Sequence, residues 1–280
     1  CFNNLYVLKQ SIPSLYSEKF IIVVFDDNSN DGTSDWLKEH YPKIIQIKGD
    51  GNNWWTGSLA KGINECISLD CKYILSVNAD VVISVDTIYK LVNSSKKNNN
   101  SIVASLVVDI ENPEIILWAG SHFKKIHKLI PIFASKYIVK AGNFINKLPN
   151  EVYETDEVHG RGVLIPTSII KKIGNYNSET FPHYGGDNDF SYRVKKAGLK
   201  MYINPQCISM VFTKNTSLNI NKKMGFNEKI LSIYRYLFKR KNGEALSVWF
   251  KLYLKHLSPI YFIQSYMFIL LLNIYRKILK

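Results

Sequence analysis

The segment that most constrains the fold covers residues 20–33, with the sequence FIIVVFDDNSNDGT. It opens with six consecutive apolar residues, several of them β-branched, which is typical of a strand buried on both faces. Polar turn-forming residues follow from Asp26 to Gly32, and a helical pattern begins at Thr33. A buried strand, a polar loop and a helix in this order place ligand-binding groups at the carboxyl edge of an α/β sheet.

Asp26 and Asp27 stand at the end of this strand, and two interpretations of them remain open. They can bind a ligand at the sheet edge. Alternatively, they and Asp31 form Asx-turns and cap the following helix, as short polar side chains commonly do. The segment alone does not distinguish these two roles.

The rest of the first hundred residues alternates between strands and helices. Helices are predicted at 3–14, 33–40, 58–68 and 87–97, and strands at 44–47 and 73–77. A glycine-rich and asparagine-rich loop, residues 49–53, precedes the third of these helices. The alternation predicts an α/β fold with a mostly parallel sheet and helices on both faces.

The second part of the chain is less regular. Strands are predicted at 102–108, 115–118, 157–165, 201–203 and 207–212, and helices at 167–173 and from 190 to about 197. Residues 124–150 are basic and polar, and we expect a loop or a mobile flap there. At the start of the chain, Cys1 and Phe2 resemble the end of a strand, so we expect the first strand to be truncated.

Composition limits the class of protein. Four scattered cysteines without a CxxC motif indicate a reduced, cytosolic protein whose cysteines are structural. The net charge is +13, but residues 221–280 alone carry 12 Lys and Arg against 2 acidic residues. Because the basic character belongs to this C-terminal part, it argues against nucleic-acid binding by the whole surface.

The C-terminal part is predicted to be helical, at about 227–240, 244–257 and 259–279. Residues 257–275 contain no charged side chain, but several polar residues dilute this apolar stretch. These features favour a helix lying on an anionic membrane surface over one that crosses the bilayer. A helix packed on the main domain is the alternative. We therefore predict a main domain at 1–220 and a basic, apolar helical extension at 221–280.

Five motifs follow one another along residues 1–215: FDDNSNDGT, GDGNNWWTGSLAKGIN, SVNADVV, GRGVLIP and FPHYGGDNDFSYRVKKAG. In this order they resemble the family 2 glycosyltransferases, inverting enzymes with a GT-A fold that use nucleotide-diphosphate sugars. The resemblance is greatest to the bacterial branch that builds surface polysaccharides, including rhamnosyltransferase-like members. Each motif alone is weakly specific, and the ordered set carries the resemblance.

The resemblance implies a divalent cation, Mg²⁺ or Mn²⁺, bound beside the sugar nucleotide. Asn78-Ala79-Asp80 matches the D-x-D-like element of the family, with Asp80 as the expected metal ligand and a neutral Asn78 where many members have Asp. A turn at the end of a strand is the alternative for this tripeptide. Many relatives also have a histidine after the last strands, but residues 207–217 contain none, so a water or another residue would complete the coordination.

The resemblance also assigns residues to the donor. Asp27, with Asp26 beside it, matches the position that hydrogen-bonds the nucleobase or ribose. Asn3 belongs to the segment that borders the nucleotide. Trp55 and Gly57 lie in the glycine-rich loop, where one of the adjacent Trp54 and Trp55 is expected to border the sugar, and burial of both in the core is the alternative. Arg161 is expected to pair with phosphate, although a structural ion pair is an equal alternative.

The motif GGDNDF matches the family's E-D-x-D-like element, with Asp187 at the position of the catalytic base. A base opposite the leaving group removes the proton of the acceptor hydroxyl in an inverting reaction. Asp189 and His183 are expected on the acceptor side, and Asp189 either orients the base or holds the following helix. Capping of a helix N-terminus is the alternative for both aspartates.

These observations predict an inverting glycosyltransferase of bacterial surface polysaccharide synthesis, peripheral on the cytoplasmic face of the cell membrane. Its partners would be a nucleotide-diphosphate sugar, a saccharide or lipid-linked acceptor and an anionic membrane, and not nucleic acid. A sugar-nucleotide pyrophosphorylase is one alternative, but it should have a GxGxR-type loop, and none is visible. A basic membrane or nucleic-acid adaptor is another, and it would have no need of Asp80 or Asp187.

Overall fold

The computed structural model describes residues 1–125, 133–212 and 246–279, together with Glu228 and Leu231. The helices are α1 Leu5–Leu15, α2 Thr33–His40, α3 Trp54–Ser68, α4 Val85–Lys97, α5 Thr167–Ile173, α6 Gly186–Lys196, α7 Leu246–His256 and α8 Pro259–Leu279. The strands are β1 Val23–Asp26, β2 Ile45–Lys48, β3 Tyr73–Ser76, β4 Val81–Val82, β5 Ile102–Asp109, β6 Ile116–Trp118, β7 Ser121–Lys125, β8 Phe133–Tyr137, β9 Tyr153–Thr155, β10 Val163–Pro166 and β11 Met201–Val211.

The predicted strand–loop–helix unit is present at the start of the fold. Strand β1 pairs in parallel with β2, and α2 connects them. The backbone N–H of Cys1 donates to the Phe25 carbonyl at 2.6 Å, and the Asp27 N–H donates to the Cys1 carbonyl at 2.9 Å. Cys1 therefore lies beside β1 with the hydrogen bonding of a neighbouring strand.

The central sheet has the strand order β3-β10-β5-β11-β4, with β6 paired to β5 and β9 paired to β11. Within it only β5 and β11 run parallel, and the other pairs are antiparallel. The α/β architecture is confirmed, but the prediction of a mostly parallel sheet is wrong. A parallel strand needs a crossover connection, usually a helix, and the chain between β5 and β10 forms short strands instead.

The core lies on both sides of this sheet. All eight residues of β5 and all four residues of β10 are buried, as expected for strands covered on both faces. Ile63 of α3, Leu91 of α4 and Phe190 of α6 are at most 1% exposed and belong to the main hydrophobic cluster. Helix packing on this sheet fixes the position of α6, which carries the predicted base.

The middle of the chain is more ordered than its polarity predicts. Where residues 124–150 were expected to form a loop or flap, β7 and β8 pair as an antiparallel hairpin, and a short 3-10 turn follows at Ile145–Lys147. Residues 126–132 lie outside the described residues. The predicted strand at 157–165 begins only at Val163. Residues 157–162 instead form a segment at the edge of the sheet.

Two of the three predicted C-terminal helices correspond to α7 and α8. The predicted helix 227–240 and the predicted domain boundary at residue 220 lie largely or wholly outside the described residues. Helix α7 packs against both α6 and α8. None of the helices in the described ranges combines the length and apolar character that crossing a bilayer requires.

Candidate active site

Asp27 organises the loop that follows β2. Its carboxylate accepts four hydrogen bonds of 2.8–3.0 Å, from the backbone N–H groups of Gly51, Asn53 and Trp54 and from the Asn53 side chain. Burial would raise the pKa of Asp27, but the bonds from Asn53, Trp54 and Gly51 hold it below its usual value. A C-β atom at Gly49 would lie 2.3 Å from the Asp27 Oδ1, so this close approach requires glycine.

The neighbouring polar side chains also hold the backbone. Asp26 Oδ1 accepts from the N–H and hydroxyl of Ser29, at 3.1 and 2.5 Å. Asp31 accepts from the backbone N–H groups of Leu5 and Thr33, at the starts of α1 and α2. Asp26 and Asp31 therefore make the local turn bonds of the alternative interpretation, whereas Asp27 bonds to the more distant loop 51–54. Nucleotide contact by Asp26 or Asp27 stays a prediction.

Asn3 joins the first residues of the chain to this acidic loop. Its N–H donates to the Ser29 hydroxyl at 2.9 Å, and its side-chain oxygen accepts from the Asn30 N–H at 2.8 Å. Asn3 has a positive φ of 47°. It therefore borders the loop at the end of β1, where the resemblance places the nucleotide.

The donor-side residues meet where β3 ends. Helix α3 begins at Trp54 and not at Ser58 as predicted, so Trp55 lies in its first turn. The Trp55 ring N–H donates to the Asn78 side-chain oxygen at 2.7 Å. A C-β atom at Gly160 would lie 2.4 Å from the Trp55 ring, so the 157–162 segment packs directly on this indole. Asn78 thus positions Trp55, and the side-chain oxygen of Asn78 is already bonded to the indole N–H.

Asp80 is a carboxylate that a cation could stabilise. Burial raises its pKa, and the nearby positive charge of Arg161 opposes that shift. Within the described ranges no group of three His, Cys, Asp or Glu side chains could hold a metal ion. Asp80 fits a cation that is bound by one protein carboxylate and by oxygens of a substrate, which is how Mg²⁺ is commonly held.

Asp187 lies in the first turn of α6 and is half-buried. Its Oδ1 is fully buried and has no hydrogen-bond partner among the described residues, while the Gly160 N–H donates to the carboxylate. Burial raises the pKa of Asp187 to about 8, against the opposing effects of Gly160 and Arg161. A carboxylate of this kind is suited to take up a proton near neutral pH.

Arg161 lies within electrostatic reach of both Asp80 and Asp187. Among the ion pairs of the described residues, none within 4.0 Å involves its guanidinium. The described residues therefore do not give Arg161 the structural ion pair that was its alternative role. A half-buried guanidinium without a carboxylate partner can pair with phosphate.

Glu157 is a buried acidic residue of the site that the motifs did not indicate. It is 3% exposed and accepts hydrogen bonds from the Ser121 hydroxyl and the Asn188 side chain. Its negative charge contributes to the raised pKa of Asp187. No local sequence signal identifies it, because its neighbours in the fold come from β7 and α6.

The loop before α6 docks on the start of α3. Thr56 donates from its backbone to the Pro182 carbonyl and from its hydroxyl to the His183 carbonyl, both at 3.0 Å. The His183 ring meets Trp54 edge-to-face at 5.8 Å. A C-β atom at Gly57 would contact Asn53 and Ser178 at ordinary distances. His183 therefore helps to hold the loop before α6 against the start of α3. Contacts of His183 and Gly57 with substrate stay predictions.

Asp189 does not lie on an accessible acceptor side. Its carboxylate is fully buried and bonds to Arg193 at 2.9 Å and to Lys255 and His256 at 2.8 Å each. Burial would raise its pKa, but the bonds from His256, Lys255 and Arg193 hold the pKa well below its usual value. Of the predicted roles, holding a helix fits these contacts, because all three partners are on α6 or α7.

The fold is similar to that of solved glycosyltransferases. GalNAc-T7, solved with UDP, GalNAc and Mn²⁺, aligns with a TM-score of 0.56 and 14% identity over 93% of this chain and 53% of that chain. The mannosyltransferase PcManGT from Pyrobaculum calidifontis, solved with GDP-Man and Mn²⁺, aligns with a TM-score of 0.55 and 12% identity over 100% of this chain and 72% of that chain. At these identities the two likenesses show the GT-A fold.

The family model "Glycosyl transferase family 2" matches residues 1–155, and the chain belongs to this family of glycosyltransferases. It is also similar to a poly(ribitol-phosphate) beta-glucosyltransferase of Bacillus spizizenii, with 23% identity over 219 residues, 74% of this chain. The chain spans about a third of that relative's length, since the match covers 32% of it. Asp187 lies beyond the residues matched by the family model.

Proposed function

We propose that this protein is an inverting glycosyltransferase in which Asp187 is the catalytic base. The acceptor oxygen attacks the anomeric carbon, the bond from that carbon to the diphosphate oxygen breaks, and the acceptor proton passes to Asp187. The observation that carries this proposal is the buried Oδ1 of Asp187, which has no hydrogen-bond partner among the described residues, on a carboxyl whose pKa is raised to about 8. A base with a pKa near the working pH combines a free carboxylate with a useful affinity for the proton.

The donor side of the proposal rests on Asp80 and Arg161. Asp80 would hold a divalent cation, Mg²⁺ or Mn²⁺, which when bound stabilises the negative charge of the leaving diphosphate as a Lewis acid. Arg161, without an ion-pair partner among the described residues, would bind the diphosphate. Asn3, Asp26 and Asp27 would border the nucleoside, and Trp55, Gly57 and Asn78 the sugar.

For the acceptor we propose a hydroxyl of a bacterial cell-surface polymer or of its lipid-linked precursor. The name of the Bacillus relative, which specifies a poly(ribitol-phosphate) acceptor, supports a polymer rich in hydroxyl groups. His183 would lie on this side of the site. A rhamnosyl donor is one candidate that nucleoside diphosphate release distinguishes from the others.

Helices α7 and α8 support peripheral association with the inner face of the cell membrane. Both helices expose large apolar side chains. Phe250 and Leu254 lie on α7, and α8 exposes four residues at four-residue spacing: Ile263, Met267, Leu271 and Tyr275. Such a stripe matches the buried face of an interfacial helix. The excess of basic residues in 221–280 matches an anionic lipid surface.

Membrane association is tested by sedimentation with vesicles. The full chain is expected to bind vesicles that contain anionic lipid more tightly than neutral ones, by roughly tenfold or more. Met267→Ser with Leu271→Ser should lose most of this binding, because both exposed side chains would enter the interface. Tyr6→Ser, which changes an apolar side chain 76% exposed on α1, is the matched control. Equal binding by all three proteins would contradict the proposal.

The function is tested by measuring nucleoside diphosphate released from UDP-, dTDP- and GDP-sugars, with Mn²⁺, with Mg²⁺ and with a chelator. We expect release from one donor class, supported by a divalent cation and abolished by the chelator. Formation of a nucleoside triphosphate after adding pyrophosphate would instead identify a pyrophosphorylase. Calorimetry that detects no binding of any donor would reject both enzyme functions and leave the adaptor.

A further inference from the structure

We propose that helix α7 completes the active site by positioning the helix that carries the base, with Lys255 and His256 acting on Asp187 through Asp189. These are positioning residues and do not touch substrate. The inference rests on the proposed role of Asp187. It concerns a part of the chain that sequence alone assigned to a separate extension.

Helix α7 contacts the loop that leads into α6. Gly185, at the N-cap of α6, has a φ of +87°, and a C-β atom there would lie 2.7 Å from the Val248 side chain. The Lys251 ammonium donates to the Thr180 carbonyl at 3.4 Å. The Lys255 ammonium also lies 5.8 Å from the centre of the Phe181 ring. The residues just before Asp187 are therefore packed directly beneath α7.

The second contact is the buried charge cluster around Asp189. Arg193 comes from α6 itself, whereas Lys255 and His256 come from the last turn of α7. Lys255 and His256 meet the same oxygen, Oδ1, and Arg193 meets Oδ2. Separation of α7 from α6 would leave Oδ1 of this fully buried carboxylate without both of its partners, with only Arg193 still bonded at Oδ2, and is therefore unfavourable.

A column of three stacked rings gives the third contact. Tyr192 of α6 stacks on Phe123 of β7 at 4.1 Å and on His256 of α7 at 5.0 Å. The imidazole of His256 thus contributes both to this column and to the charge cluster. Helix α6 is held between the β7–β8 hairpin and α7 at a point one turn beyond Asp187.

These contacts matter because little else fixes the Asp187 side chain. In the described residues its Oδ1 has no partner, so its place depends on the Gly160 N–H and on the position of α6. A displacement of a reacting group by about 1 Å can lower a rate by about 10²-fold. Loosening α7 should therefore reduce turnover without weakening donor binding.

The test compares full-length wild type with Lys255→Met/His256→Phe, which removes both bonds from α7 to Asp189 but keeps an aromatic ring on Tyr192. We expect kcat for nucleoside diphosphate release to fall by about 10- to 100-fold, with the donor KM changed by less than about threefold. Amide hydrogen exchange should become faster across residues 180–196 and stay unchanged across β1 and β2. Lys255→Arg with the native His256 should retain the wild-type rate.

The matched control is Lys90→Met, which removes a lysine from an exposed pair with Asp86 on α4. If the double variant keeps the wild-type kcat, or keeps wild-type exchange across residues 180–196, the positioning inference is wrong. If calorimetry detects no binding of any donor by the wild type, the proposed function fails instead. In that case the exchange comparison alone decides whether α7 holds α6.

Discussion

Asp187→Asn is expected to lower the turnover number by about 10²- to 10⁴-fold, the usual contribution of a general base. The amide has nearly the same shape as the carboxylic acid, so donor affinity measured by calorimetry should change little. Asp35→Asn is the matched control, because Asp35 is an exposed aspartate near the start of another helix. Wild-type turnover by Asp187→Asn would exclude Asp187 as the base.

The pH dependence of the wild type gives a second measure of the same group. The base must be ionised, so kcat/KM should rise with pH and level off above about 8, the pKa of Asp187 in the free protein. Burial places that pKa above the ordinary value of 3.8, so the folded state holds the proton more tightly than the unfolded state. Stability therefore falls as pH rises from about 4 to 8.

Asp187→Asn removes this loss of stability, since an amide cannot ionise. The variant should melt at a higher temperature than wild type at pH 9 and close to the wild-type temperature at pH 4, measured by calorimetry. A variant that loses activity and is also less stable at pH 9 would indicate a structural role for the carboxyl and contradict the burial argument.

Asp80→Asn is expected to lower cation-dependent turnover by about 10²- to 10³-fold, because a metal Lewis acid contributes several kcal/mol to such a transition state. The measurement is a Mn²⁺ titration of nucleoside diphosphate release, in which the midpoint should move to higher Mn²⁺. Asp86→Asn, at an exposed aspartate early in α4, is the control.

A Mn²⁺ response of Asp80→Asn that matched the wild type would show that other groups hold the cation. The sign of the pKa shift adds a check. Burial raises the pKa of Asp80, so a cation competes with a proton for this carboxylate. Apparent Mn²⁺ affinity should therefore increase with pH and become constant well above the pKa of Asp80.

Local patterns were sufficient for much of the fold. The apolar run ending at Asp26 predicts β1, and the bounds of α5 at Thr167–Ile173 agree with the prediction. These elements follow from hydrophobic periodicity and turn residues within a few positions. The direction of β10 could not be predicted, because it depends on the path of the chain over some fifty residues between strands.

The site shows the same division. The motifs gave Asp80, Arg161 and Asp187 as candidates, and the fold brings their charges within reach of one another. They did not reveal the buried Glu157, nor the partners of Asp189, since Lys255 and His256 lie more than sixty residues further along the chain. Contacts between such distant positions leave no periodic signal in a single sequence.

The antiparallel entry of β10 has a consequence for how the site could vary. Val163 of β10 lies opposite Ser76 of β3 and Ala104 of β5, so Arg161 enters at the edge where β3 delivers Asp80. The chain leaves the end of β5 at that edge and comes back to the same edge before β10, so residues 110 and 162 are both at this edge. Insertions or deletions between β6 and β9, in the part of the segment 110–162 outside the central sheet, need not disturb the strand register of that sheet. Relatives could thus differ in the segment that borders the acceptor, and select different acceptors, while Arg161, Asp80, Asp187 and the sheet stay in place.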